Sequence, residues 1–305
     1  MSWTVRARGL AKWYGQVMAL NDLSFELSAP LVGLLGQNGA GKSTLLRLMT
    51  GLLAPSQGEI RLEGGDPRRD RALRGRLGYC PEFDRFYEDL TPVQFVEALT
   101  RLHGGAAEAA RRAAEEALER VGLQEHARRP IRVLSHGMRQ RLKVAQALAH
   151  RPRFLLLDEP LAGLDPLGRI ELTRLFREEA AAGCTVWISS HVLHELKALT
   201  DTVLLLHRGR LLAEGSVRRI RDLIDAHPHR IAVGCERARE LGAILARFEH
   251  VRRIEFTGAG LVVETVRPDD CYEELGRLGA EGDLGIHSLD ALDDNLEAVF
   301  RYLTR

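Results

Sequence analysis

A chain of 305 residues, 45% hydrophobic and 28% charged, has the length of two domains and the make-up of an ordinary globular protein. Its 43 basic and 42 acidic side chains nearly cancel, which argues against a broad nucleic-acid-binding face and against an acidic tail. Cys80, Cys184, Cys235 and Cys271 are scattered and form no C-x-x-C pair, against a zinc site and in keeping with a reducing compartment. Residues 1–10 carry arginines instead of a signal peptide's apolar run, and no stretch approaches the roughly 20 apolar residues of a membrane helix.

In chain order, residues 3–35 read as strands and turns and end in the apolar run 31–35, the kind of strand buried in a parallel sheet. A Gly-rich loop follows, then a helix over about 42–49 and short strands at 59–62 and 77–80. Residues 91–148 are helical and Ala-rich, with strong helix formers over 106–121. A second buried strand at 154–157 precedes a helix at 167–182, a strand at 185–189, another helix and a strand at 202–206. Strand and helix alternating in this way imply a mainly parallel sheet with crossover helices. Near residue 220 the pattern changes. A strand at 230–235, a helix at 238–248, a hairpin of 251–256 with 260–265, a helix at 269–278 and a strand at 284–288 give βαββαβ, the split-βαβ order, before a last amphipathic helix at 292–303.

The loop after the first buried strand is Gly36-Gln37-Asn38-Gly39-Ala40-Gly41-Lys42-Ser43-Thr44, the G-x-x-x-x-G-K-[ST] pattern of a phosphate-binding loop. Its glycines let successive N–H groups point inward, and the helix start that follows adds its positive end. Lys42 is placed to reach the β- and γ-phosphates and the Ser43 hydroxyl to ligate Mg²⁺. A carboxylate is needed opposite. Asp158 and Glu159 supply two at the end of the second buried strand, where ligands sit in parallel sheets. Asp158 is expected to hold Mg²⁺ and Glu159 to act as general base on the attacking water. His191 follows another strand and is placed to bond the γ-phosphate or fix the base; His194 lies three residues on, without further ligands to make a metal pair.

Together these residues resemble the ATP-binding-cassette (ABC) family of transporter ATPases over about residues 4–220. The segment Leu134-Ser135-His136-Gly137-Met138-Arg139-Gln140-Arg141 is similar to the family's signature, and Ala162-Gly163-Leu164-Asp165 and Ser190-His191 follow in the family's order. The resemblance implies an α/β P-loop ATPase fold over 1–220 with a helical subdomain at about 85–148, followed by a small α+β, ferredoxin-like accessory domain at 221–305. It implies that Tyr14 stacks on adenine, that Ser135, His136 and Gly137 bind the ATP of a second protomer, that Asp165 signals between the two sites, and that His191 is the switch histidine. Glu82 stands where the family usually has Gln, still able to approach Mg²⁺ or its water but with an extra negative charge. His136 and Met138 stand where Gly and Gln are common, and a titratable His136 near a γ-phosphate is expected to make hydrolysis pH-dependent.

The exporter branch with separate permeases, the ABC-2 type, resembles the chain most in its Gly137-Met138-Arg139-Gln140-Arg141 run and in its extra C-terminal domain. The expectation is an ATP- and Mg²⁺-dependent homodimer, on the cytoplasmic face of a membrane through its permease partner and without a nucleic-acid role. Phe83, Phe86 and Tyr87, with Glu82, are expected to line a groove for a short helix of that permease. The alternative is an ABC ATPase that mechanically regulates a non-transport membrane partner. Fewer than a hundred residues lie between Lys42 and Ser135, too few for the long coiled coil of chromosome-type relatives.

Overall fold

The protein is described by a computed structural model covering residues 2–104, 106–216 and 228–292. It divides into two compact units, Met1–Val217 and Arg218–Arg305. The expected helix at 292–303 lies outside the described residues, apart from Leu292.

In the first unit, β1 (Thr4–Tyr14), β2 (Val17–Ser28) and β4 (Gln57–Leu62) make an antiparallel three-stranded sheet in the order β2-β1-β4. A second sheet runs β5-β6-β7-β3-β8-β9, from β5 (Leu77–Cys80), β6 (Phe154–Leu157), β7 (Thr185–Ser190), β3 (Leu31–Leu35), β8 (Thr202–His207) and β9 (Arg210–Ser216). Five of these strands are parallel, as the alternating pattern predicts, and every residue of β3, β6 and β7 is buried. The strand β9 departs from that expectation: it is antiparallel and forms a hairpin with β8. Its turn is Arg208-Gly209, both at positive φ (46° and 76°), a two-residue hairpin geometry usually signalled by Asn-Gly or Asp-Gly. With Arg in the first position that signal is weak, so the strand was not expected.

Leucines of β1 and β2, Phe154 and Trp187 of the larger sheet, and Leu45, Leu46, Leu48 and Met49 of α1 (Lys42–Met49) share one core. Trp3 stacks on Phe154 with centroids 5.5 Å apart, and Trp187 tilts against both Phe154 and Phe25. Burying a large apolar side chain completely contributes about 1.5–3 kcal/mol, so this cluster fixes β6 and β7, the two strands that carry Asp158 and His191.

The short α2 (Arg71–Arg74) precedes β5. The helical segment comprises α3 (Pro92–Arg101), α4 (Ala107–Arg120) and α5 (His136–Leu148). A capping box starts α3: the Thr91 hydroxyl accepts from Gln94 N while Gln94 reaches back to Thr91 N. On α4, Ala110, Ala114, Ala117 and Leu118 face inward at helical spacing. Beyond β6 and β7 lie α6 (Pro166–Ala181) and α7 (Leu193–Lys197).

The second unit runs β10 (His229–Cys235), α8 (Ala238–Leu245), β11 (Val251–Thr257), β12 (Gly260–Thr265), α9 (Pro268–Glu281) and β13 (Ile286–Ala291). Its sheet is antiparallel throughout, in the order β11-β12-β10-β13, which is the split-βαβ arrangement. Ile231, Val233, Leu261 and Val263 pack on Leu241, Leu245, Cys271 and Leu275 of the two helices.

Candidate functional site

Strand register builds the site. In the order β5-β6-β7-β3, Cys80 pairs with Leu157, Leu157 with Ile188, and Leu35 with Ser190. The residues that follow each strand therefore emerge side by side: Glu82, Asp158 and Glu159, His191, and the loop from Gly36. This is the C-terminal edge of the parallel strands, where α/β sheets open a crevice.

The loop is a backbone cradle. Gly39 and Gly41 sit at φ of 81° and 101°, where a side chain is strained. A Cβ on Gly41 would lie 2.5 Å from Leu20 Cδ2, and one on Gly36 would lie 2.6 Å from the Leu206 carbonyl oxygen. Gly41 caps α1 without a side-chain hydrogen bond and the first turn of α1 carries no acid, so its N–H groups face the cleft free of a competing carboxylate. That cleft, about 280 Å³, is lined by Val17 and Met18 as well as by Asn38, Gly39, Ala40, Gly41, Lys42, Ser43, Thr44, Glu82 and Glu159. Tyr14, 43% exposed, ends β1, and the Lys12 ammonium lies 5.5 Å over its ring.

Opposite the cradle, Asp158 is fully buried. Its Oδ1 accepts from the Ser189 hydroxyl at 2.7 Å, and its Oδ2 has no partner. Burial holds this carboxyl above the usual range; the Ser189 and Ser43 hydroxyls oppose that shift, and Glu82 and Glu159 add to it. Glu159 is nearly buried and adopts φ of 48°, which aims its side chain back into the cleft. Its Oε1 lies 3.1 Å from Lys42 Nζ, and its Oε2 lies 3.0 Å from His191 Nδ1. Lys42 also donates to the Gly36 carbonyl at 2.7 Å. The Glu82 carboxylate accepts from Ser43 Oγ at 3.4 Å, and its backbone carbonyl accepts from Lys143.

These groups suit Mg²⁺. An orphaned, fully buried carboxylate oxygen, a serine hydroxyl and a third carboxylate nearby are all hard oxygen donors. Among the described residues no three His, Cys, Asp or Glu side chains group as a self-sufficient metal cage.

The signature segment lies on the rim. Ser135 is exposed and caps α5, accepting from Met138 N at 3.3 Å. His136 is exposed, with its ring against Gly163: a Cβ there would sit 2.3 Å from Cδ2 and Nε2. Gly137 follows in the first turn of α5. Asp165 caps α6 and accepts from Gly168 N at 2.9 Å. The aromatic groove divides: Phe83 and Tyr87 are about 70% exposed, at 69% and 73%, whereas Phe86 packs edge-on against Phe95 and under the Arg139 guanidinium. Arg139 holds that segment through a bidentate bond to Glu88. The Phe86 side chain is thereby drawn inward, unlike its neighbours.

Two contributors were not foreseen. Ser189 accepts the Glu159 N–H at 2.8 Å while donating to Asp158, so one hydroxyl orients both acidic residues. Gln140, 2% exposed on α5, donates to the Glu159 carbonyl at 3.0 Å and ties the signature helix to the same turn. A serine at the end of a fully buried strand, beside the strand carrying Asp158, was the available signal for the first; for Gln140 it was membership of the signature-like segment, which did not disclose its contact with Glu159.

Comparison with known proteins agrees with this geometry. Residues 20–162 match the ABC transporter family. The Nod factor export ATP-binding protein I of Burkholderia orbicola is 33% identical over 307 aligned positions, covering 97% of this chain and 95% of that protein. The bacitracin transport ATP-binding protein BcrA of Enterococcus faecalis is 36% identical, covering 71% of this chain and 70% of that protein. A dimeric ATP-binding cassette solved in a post-hydrolysis state with ADP and phosphate is 25% identical and superposes with a TM-score of 0.65, covering 70% of this chain and 99% of that one. A phosphate cradle facing a buried Asp-Glu pair, and relatives aligned along nearly the whole sequence, lead to one assignment: the chain belongs to the ABC transporter ATP-binding proteins, a family of ATPases.

Proposed function

We propose that this chain is the ATPase subunit of an ABC-2-type exporter, working as a homodimer with a separate transmembrane permease. The observation that carries the catalytic part is the placement of Glu159, aimed into the cleft between Lys42 and His191 at 3.1 and 3.0 Å. The exporter part is supported by likeness to a Nod factor export protein and a bacitracin transport protein. Two parts serve this function: an ATPase part over 1–220, with a helical subdomain at about 85–148, and an accessory part over 221–305. No described helix is long and apolar enough to cross a membrane. In this reading the permease holds the chain at the cytoplasmic face.

In this reading Tyr14 stacks on the base, and the N–H groups of residues 36–44 cradle the phosphates. Lys42 leaves Glu159 for the β- and γ-phosphates, and Ser43 and Asp158, with Glu82 nearby, would hold Mg²⁺. Bound there, the ion would supply positive charge to offset that of the phosphates. Glu159, released from Lys42, accepts a proton from the attacking water, and His191 keeps its carboxylate oriented. Ser135, His136 and Gly137 complete the partner protomer's site, and Asp165 relays between the two. Phe83, Tyr87 and Glu82 form the face toward the permease.

Glu159→Gln tests this. It should leave ATP affinity within about twofold, cut turnover by about 10²–10⁴, and trap an ATP-bound dimer in gel filtration. Normal turnover would remove Glu159 as the base. Recovery from membranes with a polytopic permease is the expected result for the full chain; recovery only with a non-permease membrane protein would move the function to mechanical regulation.

A further inference from the structure

The turn that carries His191 has polar contacts of its own, beside the one between the imidazole and Glu159. Ser190, the residue before it, is 2% exposed; its hydroxyl donates to Glu195 Oε2 at 2.8 Å and accepts the Val192 N–H at 3.0 Å. Glu195 lies on α7 with its side chain only 10% exposed. Its other oxygen is 3.4 Å from Nη1 of Arg169, in the first turn of α6. The same guanidinium donates through Nε to the Leu164 carbonyl at 3.2 Å. One run of polar contacts thus connects the 162–165 loop to the turn carrying His191, whose Nδ1 meets Glu159 at 3.0 Å.

A carboxylate this buried needs compensation, and a single lysine or serine would supply it. The planar guanidinium instead reaches two acceptors on separate elements through different nitrogens, Nε to the Leu164 carbonyl and Nη1 to Glu195, in a fixed fork geometry. We propose that Arg169 and Glu195 are positioning residues that couple the 162–165 loop to the His191 turn. When a second protomer displaces the loop, the guanidinium moves with the Leu164 carbonyl. Glu195 and Ser190 then carry that movement to the imidazole and so to Glu159. A displacement of about 1 Å at a reacting group changes rate by up to about a hundredfold, so a link of this kind has kinetic leverage.

This rests on the reading that His191 and Glu159 serve hydrolysis, and the experiment separates the two. The full-length protein is prepared as Glu195→Gln, Arg169→Ala, the double variant, and His191→Ala as control. Each single variant should lose on the order of tenfold in kcat, with KM for ATP and equilibrium ATP binding within about twofold of wild type. Because both cut one link, the double variant should lose no more than the larger single loss, where independent sites would multiply to about a hundredfold. Multiplying losses, a change in KM with kcat intact, or wild-type kcat in both singles would overturn the coupling. Glu195→Gln preserves shape and Arg169 is 45% exposed, so unchanged melting curves are expected; a shared drop in melting temperature that accounts for the kcat loss would count equally against the proposal. If His191→Ala keeps full turnover, the underlying reading fails instead.

Discussion

Ser189→Ala removes one hydroxyl and disturbs two residues at once. The hydroxyl is fully buried, donates to Asp158 Oδ1 at 2.7 Å and accepts the Glu159 N–H at 2.8 Å. Losing a hydrogen bond to an ionised carboxylate costs about 1.5–3 kcal/mol, and leaving a buried N–H unpaired about 1–3 kcal/mol. Easier protonation of Asp158 returns part of this, since the serine is among the groups holding its carboxyl down against burial. The net expectation is about 2–4 kcal/mol of stability. A cooperative unit of this size shifts by about 2–4 °C per kcal/mol, so the nucleotide-free melting temperature should fall by about 5–15 °C, read by circular dichroism with urea titration alongside. Turnover should fall by tenfold or more, because the turn at Glu159 loses the hydrogen bond that fixes its left-handed backbone. A melting temperature within 2 °C of wild type, with normal kcat, would refute the assignment of the Asp158 carboxylate and the Glu159 backbone N–H to one hydroxyl.

Asp158→Asn should raise the melting temperature of the nucleotide-free protein by relieving a buried charge, and abolish the further rise given by Mg²⁺ with ATP; scanning fluorimetry reads both. Gly163→Ala places a methyl group against the His136 ring at a φ of 72°, so turnover should drop at least severalfold with ATP binding intact, and adding His136→Gly should restore part of it in a steady-state ATPase assay. His150 stacks on His103 with ring centroids 4.0 Å apart, and burial lowers its pKa from 6.5 to about 4. The folded protein therefore binds this proton less readily than the unfolded chain. Its contribution to stability is complete above pH 6.5 and is lost as pH falls toward 4, a slope that His150→Phe should flatten in urea midpoints measured across that range.

What the sequence disclosed depended on how local the physics was. The phosphate cradle was legible because its constraint is local: glycines that only a left-handed backbone explains, between an apolar strand and a helix start. Asp158 and Glu159 were legible because a polar pair ending an apolar strand has few other uses. The βαββαβ pattern carried the second unit's strand order, since alternation and turn residues sit within each element. Ser189, Gln140 and the Arg169–Glu195 pair were not legible, because the residues that meet there lie 30, 19 and 26 positions apart and come together only through strand register and helix packing. The strand β9 escaped for the opposite reason, a local turn signal made faint by an arginine.

Lys42 and Glu159 satisfy each other's charge, and Lys42 also donates to the Gly36 carbonyl. Under the proposed roles, the group assigned to phosphate therefore occupies the group assigned to water. In that pair one Glu159 carboxylate oxygen faces the ammonium at 3.1 Å, so the ammonium competes with water for it. Drawing Lys42 onto a phosphate removes that competition, leaving His191 as the neighbour of the carboxylate. Phosphate binding and base activation are then one event, built from a single side chain that cannot serve both partners. The orphaned Asp158 Oδ2 works the same way: its buried charge is unfavourable until a cation arrives, so metal binding gains what folding gave up. A site organised like this has little reason to activate water before nucleotide and metal are both in place.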